Sequence, residues 1–505
     1  MARYKDYDYN QDKLLPVNFS EQILPGSFEY TLNYLVDNEL DLSVFESRYN
    51  NDETGCPAYD PAILLKIVLA AYARGFTSSR DIERLCRENI IFMALSADSQ
   101  PHFTTIASFI SNMSEVIQTL FLEILMVCDG AELIGKEMFA IDGCKLPSNA
   151  SKDWSGTQAD LMKKQHKIDR AVRRMLKKHR EEDEKQQLDP DIRQREEQQI
   201  KKLKAISAKV KKHLTTTDEK LGSRGTPIKS NITDNDSAKM KTSHGVIQGY
   251  VGVSAVDSKH QIIISAEAFG QCQEHDLLEP IVQGAKDRLG QDYIEKAKLT
   301  ADSGFHNTKN VEFCQDENID AYIADKSFRS RDPRFKDYKR FKQKTKPKQK
   351  KYYIPADFTF NKKSNTCHCP AGKKMWQSQS NVVMGDYCYQ RFEGYLNDCR
   401  QCTLQKQCMR KPPTDRGRQV SVRKGAAEHK PPNLLNQMQT KIDSRKGRHI
   451  YSQRIGTVEP VFGNINTNKR LNRFSLRGKT KVNAQWLMFC MVHNIEKYQH
   501  YGSIQ

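Results

Sequence analysis

Apolar residues recur at helical spacing through residues 18–125, and capping and turn residues mark the breaks between them. Ser20 and Glu21 open a predicted helix through Leu35. Asp60 and Pro61 supply an N-cap and a first helical residue for a helix over 62–74, which Gly75 ends. Ser78 and Ser79 cap another helix through about residue 87, and Thr104 and Thr105 a third through Met113. On the helix that opens at Ser78, Arg80, Arg84 and Arg87 follow i, i+4, i+7 spacing and share one face, while Ile82, Leu85 and Cys86 are left for a core. Short helices with tight links predict a helix-turn-helix-like unit, although an ordinary helical domain with a solvated Arg face fits the same pattern.

From Glu137 the pattern changes. Residues 138–141 (Met-Phe-Ala-Ile) form a short apolar run ending at Asp142-Gly143, as a buried strand does. Residues 151–220 are rich in Lys, Glu and Gln and break at Asp189-Pro190, which predicts a hairpin of two long polar helices. Strand patterns return at 249–256 and 261–266, joined as a hairpin. A helix over 277–289, a strand over 298–301, a helix over 308–317 and a strand over 320–324 follow. A basic run, a Cys-rich stretch and a polar linker (410–433) come next, then helical spacing over 451–466 and an amphipathic helix over 482–497. The predicted organisation is a helical domain over 1–130 and a mixed α/β domain over 135–500. A polar helical insertion (151–230) and a basic, Cys-rich insertion (326–445) interrupt the latter.

Composition narrows the function. A chain of 505 residues with 38% hydrophobic residues can build a sizeable core and two to four domains, which argues against wholesale disorder. The apolar stretches are too short to span a bilayer, and the start, MARYKDYDYNQD, has no apolar signal region. The expectation is a soluble, intracellular protein with reduced thiols and no membrane partner. The formal charge is +18, but residues 1–130 hold 9 Lys/Arg against 19 Asp/Glu, so their net −10 leaves +28 on the rest. Residues 326–351 alone contain 13 Lys/Arg and two acids; Lys342 and Lys344 lie in this run. A second basic run lies between 163 and 212, and Arg and Lys recur from 445 to 481. Such charge favours a polyanion, and nucleic acid above a solvated surface or a membrane, because no basic helix carries a Trp/Phe/Leu face.

Asp142 and Asp302 each end a predicted strand, where a sheet presents side chains to a crevice; Glu459 lies in the helix-like stretch RIGTVEPVFG. Each acid alone could simply cap a turn. Together they offer the hard oxygen ligands that hold two Mg²⁺ (or Mn²⁺) ions roughly 4 Å apart for phosphodiester chemistry.

The order AIDG…TADSGFHN…YSQRIGTVEPVFG resembles the DDE transposases of bacterial insertion sequences. The stretch GCPAYDPAILLKIVLAAYARGFTSSRDIERLCRENIIFMAL, with PHFTTIASFI, is similar to the helical N-terminal region of the same branch. The resemblance covers about 20–145, 230–335 and 445–497. It implies an α/β fold in which a ribonuclease-H-like mixed-sheet catalytic core carries a helical N-terminal domain and two insertions. It also implies that Asp142, Asp302 and Glu459 are the metal-binding triad. Around the glutamate the family has a Tyr, an Arg, the Glu and a Lys seven positions on. Tyr451, Arg454 and Glu459 match; the last position is Asn466 here, and Lys469, three further on, is the candidate substitute on the same helical face. The implied activity is metal-dependent DNA end cleavage and strand transfer on double-stranded DNA, namely terminal inverted repeats and a target. It would be carried out by a homodimer on paired ends in a bacterial cytoplasm, at the nucleoid. The residues by themselves leave two alternatives: an inactive zinc-containing DNA-binding relative, or a metal-dependent nuclease that does not join.

Six of the thirteen Cys fall close together: Cys367, Cys369, Cys388, Cys399, Cys402 and Cys408. The Cys399/Cys402 pair has zinc-knuckle spacing, and a tetrahedral Zn²⁺ site from Cys367, Cys369, Cys399 and Cys402 is expected, with Cys388 and Cys408 as substitutes. Unligated thiols are the alternative.

Overall fold

A computed structural model describes residues 16–48, 57–184, 190–222, 225–243, 245–335, 352–361, 364–384, 387–426 and 433–503. It divides into two compact units, one comprising Met1–Asp325 with Ile442–Gln505, the other Lys326–Lys441.

The first unit begins with six helices: α1 (Phe28–Asn38), α2 (Pro61–Ala73), α3 (Ser79–Glu88), α4 (Ile90–Leu95), α5 (Phe103–Asn112) and α6 (Ile117–Gly130). Asp60 caps α2 through the Ala62 N–H, with Pro61 in the first turn, and Gly75 follows at φ +80°. α5 starts one residue before the predicted cap, because the His102 ring rather than a Thr hydroxyl accepts from the Thr104 N–H. No single helix among the described residues is long and apolar enough to cross a membrane; the bent pair Phe103–Glu115 and Ile117–Gly130 passes on composition, but Ile106, Phe109, Ile117, Leu120 and Phe121 are buried in this unit.

Strand β1 (Met138–Pro147) is followed by the polar hairpin α7 (Gln158–Glu184) and α8 (Pro190–Thr216), flanked by the two-residue strands β2 (Ser155–Gly156) and β3 (Ser230–Asn231). Asp169–Ser207 and His179–Glu196 contacts staple the two helices antiparallel, over a thin seam of Val172, Ile200 and Val210. Then come β4 (Ala238–Thr242), β5 (Gly245–Asp257), β6 (Ile263–Phe269), α9 (Leu278–Leu289), α10 (Gln291–Lys296), β7 (Lys298–Ala301), α11 (Thr308–Asp316) and β8 (Asp320–Ile323). The sheet has six strands, ordered β4-β5-β1-β7-β8, with β6 also on β5; pairing is antiparallel at β4–β5, β5–β6 and β5–β1 and parallel at β1–β7 and β7–β8.

Strand alternation sorts β1 between two layers. Phe139 faces Tyr293 of α10. Met138 packs with Ile450 of α16 (Arg445–Gly463) on the other side. The long, almost fully buried α17 (Lys479–Tyr501) also packs on the sheet: the Trp486 indole fills the space that a side chain at Gly252 would take, 2.9 Å from its Cβ position, and donates to the Val253 carbonyl. Sequence periodicity places only one face of this helix in a core, but α2, α6 and the sheet surround it, so polar residues such as Asn494 and His493 are buried as well. Asn494 accepts from the Ile263 N–H and donates to the Ile263 carbonyl, continuing the ladder of β6.

His493 accepts from Asn464 at Nδ1, donates from Nε2 to the Gln261 carbonyl, and is held neutral: burial pushes its pKa down to about 4. The unfolded chain binds a proton near pH 6.5, so the stability gained from keeping this ring neutral is complete above that pH and is lost as pH falls toward 4. The difference is on the order of 3 kcal/mol. A His493→Gln chain, whose amide can make both hydrogen bonds, is expected to lose less stability than wild type between pH 7 and 5 in urea titrations. Parallel pH curves for the two would refute this.

The second unit contains α12 (Phe328–Arg331), then a five-stranded antiparallel sheet ordered β13-β12-β11-β10-β9, from β9 (Thr359–Asn361), β10 (Thr366–His368), β11 (Lys374–Met384), β12 (Tyr387–Gly394) and β13 (Gln419–Ala426). Two short helices, α13 (Leu396–Arg400) and α14 (Gln405–Cys408), lie between the last two strands, and α15 (Leu434–Asp443) follows. The predicted polar linker is therefore partly strand. Gln419-Val-Ser-Val-Arg alternates with period two, and Val420 closes a core of Phe358, Cys367, Met375 and Phe392.

Candidate active site

The parallel register of β1 and β7 pairs Ile141 with Ala301. Asp142 and Asp302 are the next residues on each strand, so they come side by side on the face that α16 covers. Asp142 is not at a strand end, as the apolar run suggested: β1 continues to Pro147 because β5 pairs with it along its whole second half. What ends there is the parallel neighbour, which opens the crevice beside Asp142.

α16 brings Arg454 and Glu459 over this point. Arg454 is buried and its Nη2 lies 2.7 Å from Asp142 Oδ2, while Asp142 Oδ1 accepts from the Gly143 N–H at 2.9 Å. Burial pushes Asp142 up to about 6; the Arg454 charge opposes this, and the charges of Asp302 and Glu459 add to it. Asp302 and Glu459 thus both lie near enough for their charges to act on Asp142, with Glu459 exposed toward solvent. Arg454 Nε is buried without a hydrogen-bond partner. The donor set suits a hard divalent cation: carboxylate oxygens, one of them held unfavourably charged among others. As placed, no three His, Cys, Asp or Glu side chains among the described residues close around one ion, and both Asp142 oxygens are engaged by Arg454 and the backbone.

A fourth carboxylate joins them that sequence reading passed over. A Cβ on Gly304 would lie 2.5 Å from Glu274 Oε2 and 2.9 Å from Asp302 Oδ1, so Glu274 reaches the triad and residue 304 must be glycine. The Gly304 N–H in turn donates to Asp302 Oδ1. Asn307 and Asn310 both donate to the His275 carbonyl, tying the Glu274 loop to the ADSGFHN segment. Burial, more than any charge, raises the Glu274 pKa, and Lys145 of β1 stands 3.8 Å from its Oε1. The signal for Glu274 was conformational: only the fold tells why Gly304 and Asn307 are there. Beside it, Lys145, Lys241, Ser243 and Glu274 line an open groove of about 710 Å³.

The other expected contacts are placed as follows. Tyr451 lies half-buried on α16, one turn before Arg454. Lys469 is 1% exposed and pairs with Glu496 of α17 at 2.7 Å, so it is not a phosphate contact. The reason is local: after Glu459 the helix passes into a π-turn over Asn464–Asn468, which rotates Lys469 off the face of Glu459 and into the core. Asn466, at the family's Lys position, is itself within that turn. Arg80, Arg84 and Arg87 are exposed on one face of α3; Arg80 lies over the Phe103 ring, and Arg84 pairs with Asp81 and Glu88. Lys342 and Lys344 fall outside the described residues.

The cysteines separate into two groups. Cys369, Cys399, Cys402 and Cys408 line one cavity. Cys367 points into the sheet core against Met375, and Cys388 lies on β12 beside Asn381, away from that cavity. Of the four expected ligands, Cys369, Cys399 and Cys402 line the cavity together with Cys408, one of the substitutes, while Cys367 lies on the buried face of β10.

Residues 368–499 match the family described as transposase DDE domain, and residues 17–112 match the family described as transposase domain (DUF772). The chain is a DDE transposase. None of the curated proteins matches it. The transposase is an enzyme that binds DNA, cleaves it and transfers strands, with a dependence on divalent metal. Its matched DDE segment holds Arg454, Glu459 and the cysteine cavity; Asp142 and Asp302 precede that segment.

Proposed function

We propose that Asp142, Asp302 and Glu459 are the catalytic, metal-binding carboxylates of this transposase, held on a ribonuclease-H-like core. The observation that carries this reading is the parallel register of β1 and β7, which sets the two aspartates side by side under Arg454 and Glu459. The strand order, an antiparallel β6-β5-β1 followed by parallel β7 and β8, supports the core assignment. Two Mg²⁺ or Mn²⁺ ions in this crevice would activate the attacking oxygen and stabilise the leaving one. The chain's own groups do the rest. Glu274 adds carboxylate beside Asp302, and Gly304 leaves room for it. Arg454 holds Asp142 ionised and oriented, and Tyr451 on the same face contacts the donor strand. Lys145 and Lys241 line the groove that receives the phosphate backbone.

In this reading residues 1–130 form a DNA-binding domain with the Arg80, Arg84 and Arg87 face against the duplex. The catalytic domain over 135–500 carries the hairpin and the basic, Cys-rich unit as insertions. A structural zinc ion in the latter completes the cofactors. Two copies would act on paired terminal inverted repeats and a target, on chromosomal DNA in the nucleoid.

Incubation with Mg²⁺ and DNA from beside the gene should release 3′-OH ends and join them to a second duplex. Cutting without joining identifies a nuclease, and binding without cutting an inactive relative; either overturns the reading.

A further inference from the structure

The cysteine cavity is remote in chemistry from the carboxylates. We propose that Cys369, Cys399, Cys402 and Cys408 bind one structural Zn²⁺ as a four-thiolate site, and that Cys367 and Cys388 take no part. This sharpens the zinc assignment above but does not depend on the catalytic reading.

Three separate pieces of backbone bring the sulfurs together. Cys369 opens a tight turn after β10: the Gly372 N–H donates to the Cys369 carbonyl, the Cys369 N–H to the Lys373 carbonyl, and Gly372 has φ +77°. Cys367, two residues earlier, is fully buried in the sheet core, whereas Cys369 is only half-buried at the edge of that core and lines the cavity. Cys399 lies on α13 and Cys402 just beyond it, with the two-residue gap that lets a pair of thiolates share an ion. Cys408 ends α14.

Space has been cleared for Cys399 in particular. A Cβ on Gly394 would meet its Sγ at 2.9 Å and one on Gly417 at 3.1 Å, while the Arg418 N–H donates to the sulfur at 3.4 Å. A backbone N–H aimed at the sulfur is the kind of outer contact that orients a metal ligand. The four thiols stand close enough for their charges to act on one another. The cavity they line, about 40 Å³, is the size of a single water or ion and too small for an organic ligand. As placed, the sulfurs line its wall without reaching a common ligating point, so binding draws them inward.

The choice of ion follows from the donors. Thiolates select soft or borderline cations, and a closed set of four leaves no open position for catalysis, so the role is structural. α13 and α14 have five and four residues, far below the length at which a helix holds itself together. None of the described cysteines is in a disulfide. An ion tying the 369–373 turn to both helices would fix the segment between β12 and β13.

Metal analysis of the full-length chain, grown with zinc, tests this. One zinc per chain is expected, and cobalt exchanged into the site should give the intense thiolate-to-cobalt absorption of a tetrahedral site. Cys369→Ser, Cys399→Ser, Cys402→Ser and Cys408→Ser should each lower retained zinc at least tenfold after mild chelation, while Cys367→Ala and Cys388→Ser keep it. Asp142→Asn should keep it too, which separates this site from the catalytic one. A zinc-free chain, or one in which Cys408→Ser retains zinc and folded Cys367→Ala loses it, overturns the proposal.

Discussion

Asp142→Asn is expected to abolish cleavage and joining while leaving DNA binding in place. The substitution keeps the shape of the side chain and its contact with the Gly143 N–H, but removes a charge that an ion needs. Loss of several kcal/mol of charge stabilisation corresponds to a rate fall of roughly 10³-fold or more. Asp302→Asn and Glu459→Gln should behave alike, since the three act as one donor set. Glu274→Gln should fall between them and wild type, by roughly 10–100-fold, as groups that support metal ligands do. The measurement is product formation on an end-bearing duplex in Mg²⁺, with binding followed separately by gel shift and folding by circular dichroism. Because Arg454 would lose its partner, the folding control decides whether the loss is chemical. Cleavage by a folded Asp142→Asn chain within tenfold of wild type would remove Asp142 from the chemistry.

The largest effect on stability is expected from Trp486→Ala. The indole is fully buried, stacks on Phe462 of α16 with centroids 6.3 Å apart, and fills the notch at Gly252. Emptying such a site costs about 3–5 kcal/mol, because the sheet backbone on one side and α16 on the other cannot collapse into the gap. Gly252→Ala tests the same contact from the other side, since its methyl would overlap the ring at 2.9 Å. Differential unfolding in urea, followed by tryptophan-independent circular dichroism, measures both. A loss below about 1 kcal/mol for Trp486→Ala would mean that α17 is not clamped to the sheet there.

Much of the local structure was legible. Strand Lys298–Ala301 was read with its observed bounds, and the hairpin α7–α8 was read as two polar helices within 151–220 that break at Asp189-Pro190, because Asp-Ser-Gly and Asp-Pro punctuate the chain there. Caps at Asp60 and Gly75 were equally clear, since backbone donors and a left-handed φ demand those residues. Three of the misses share one physical source. Asp142 sits mid-strand because a neighbouring strand that is distant in sequence pairs with it. Lys469 turns inward because Glu496, on another helix, is there to receive it through an intervening π-turn. β13 was hidden in a polar segment because only one of its faces meets a core.

The amino-acid sequence alone determined many of the helices and strands, caps such as Asp60, the acidic and basic partition of the chain, and which side chains could hold a divalent ion or a phosphate. These follow from short-range sterics, hydrogen bonding and residue chemistry. Tertiary structure decided which of those candidates meet. It brought Asp142 beside Asp302 by strand register, added Glu274, turned Lys469 inward, and put Cys408 rather than Cys367 in the cavity of Cys369, Cys399 and Cys402. Proximity between residues far apart in the chain is set by packing and pairing summed over the whole fold, and no local pattern carries that sum.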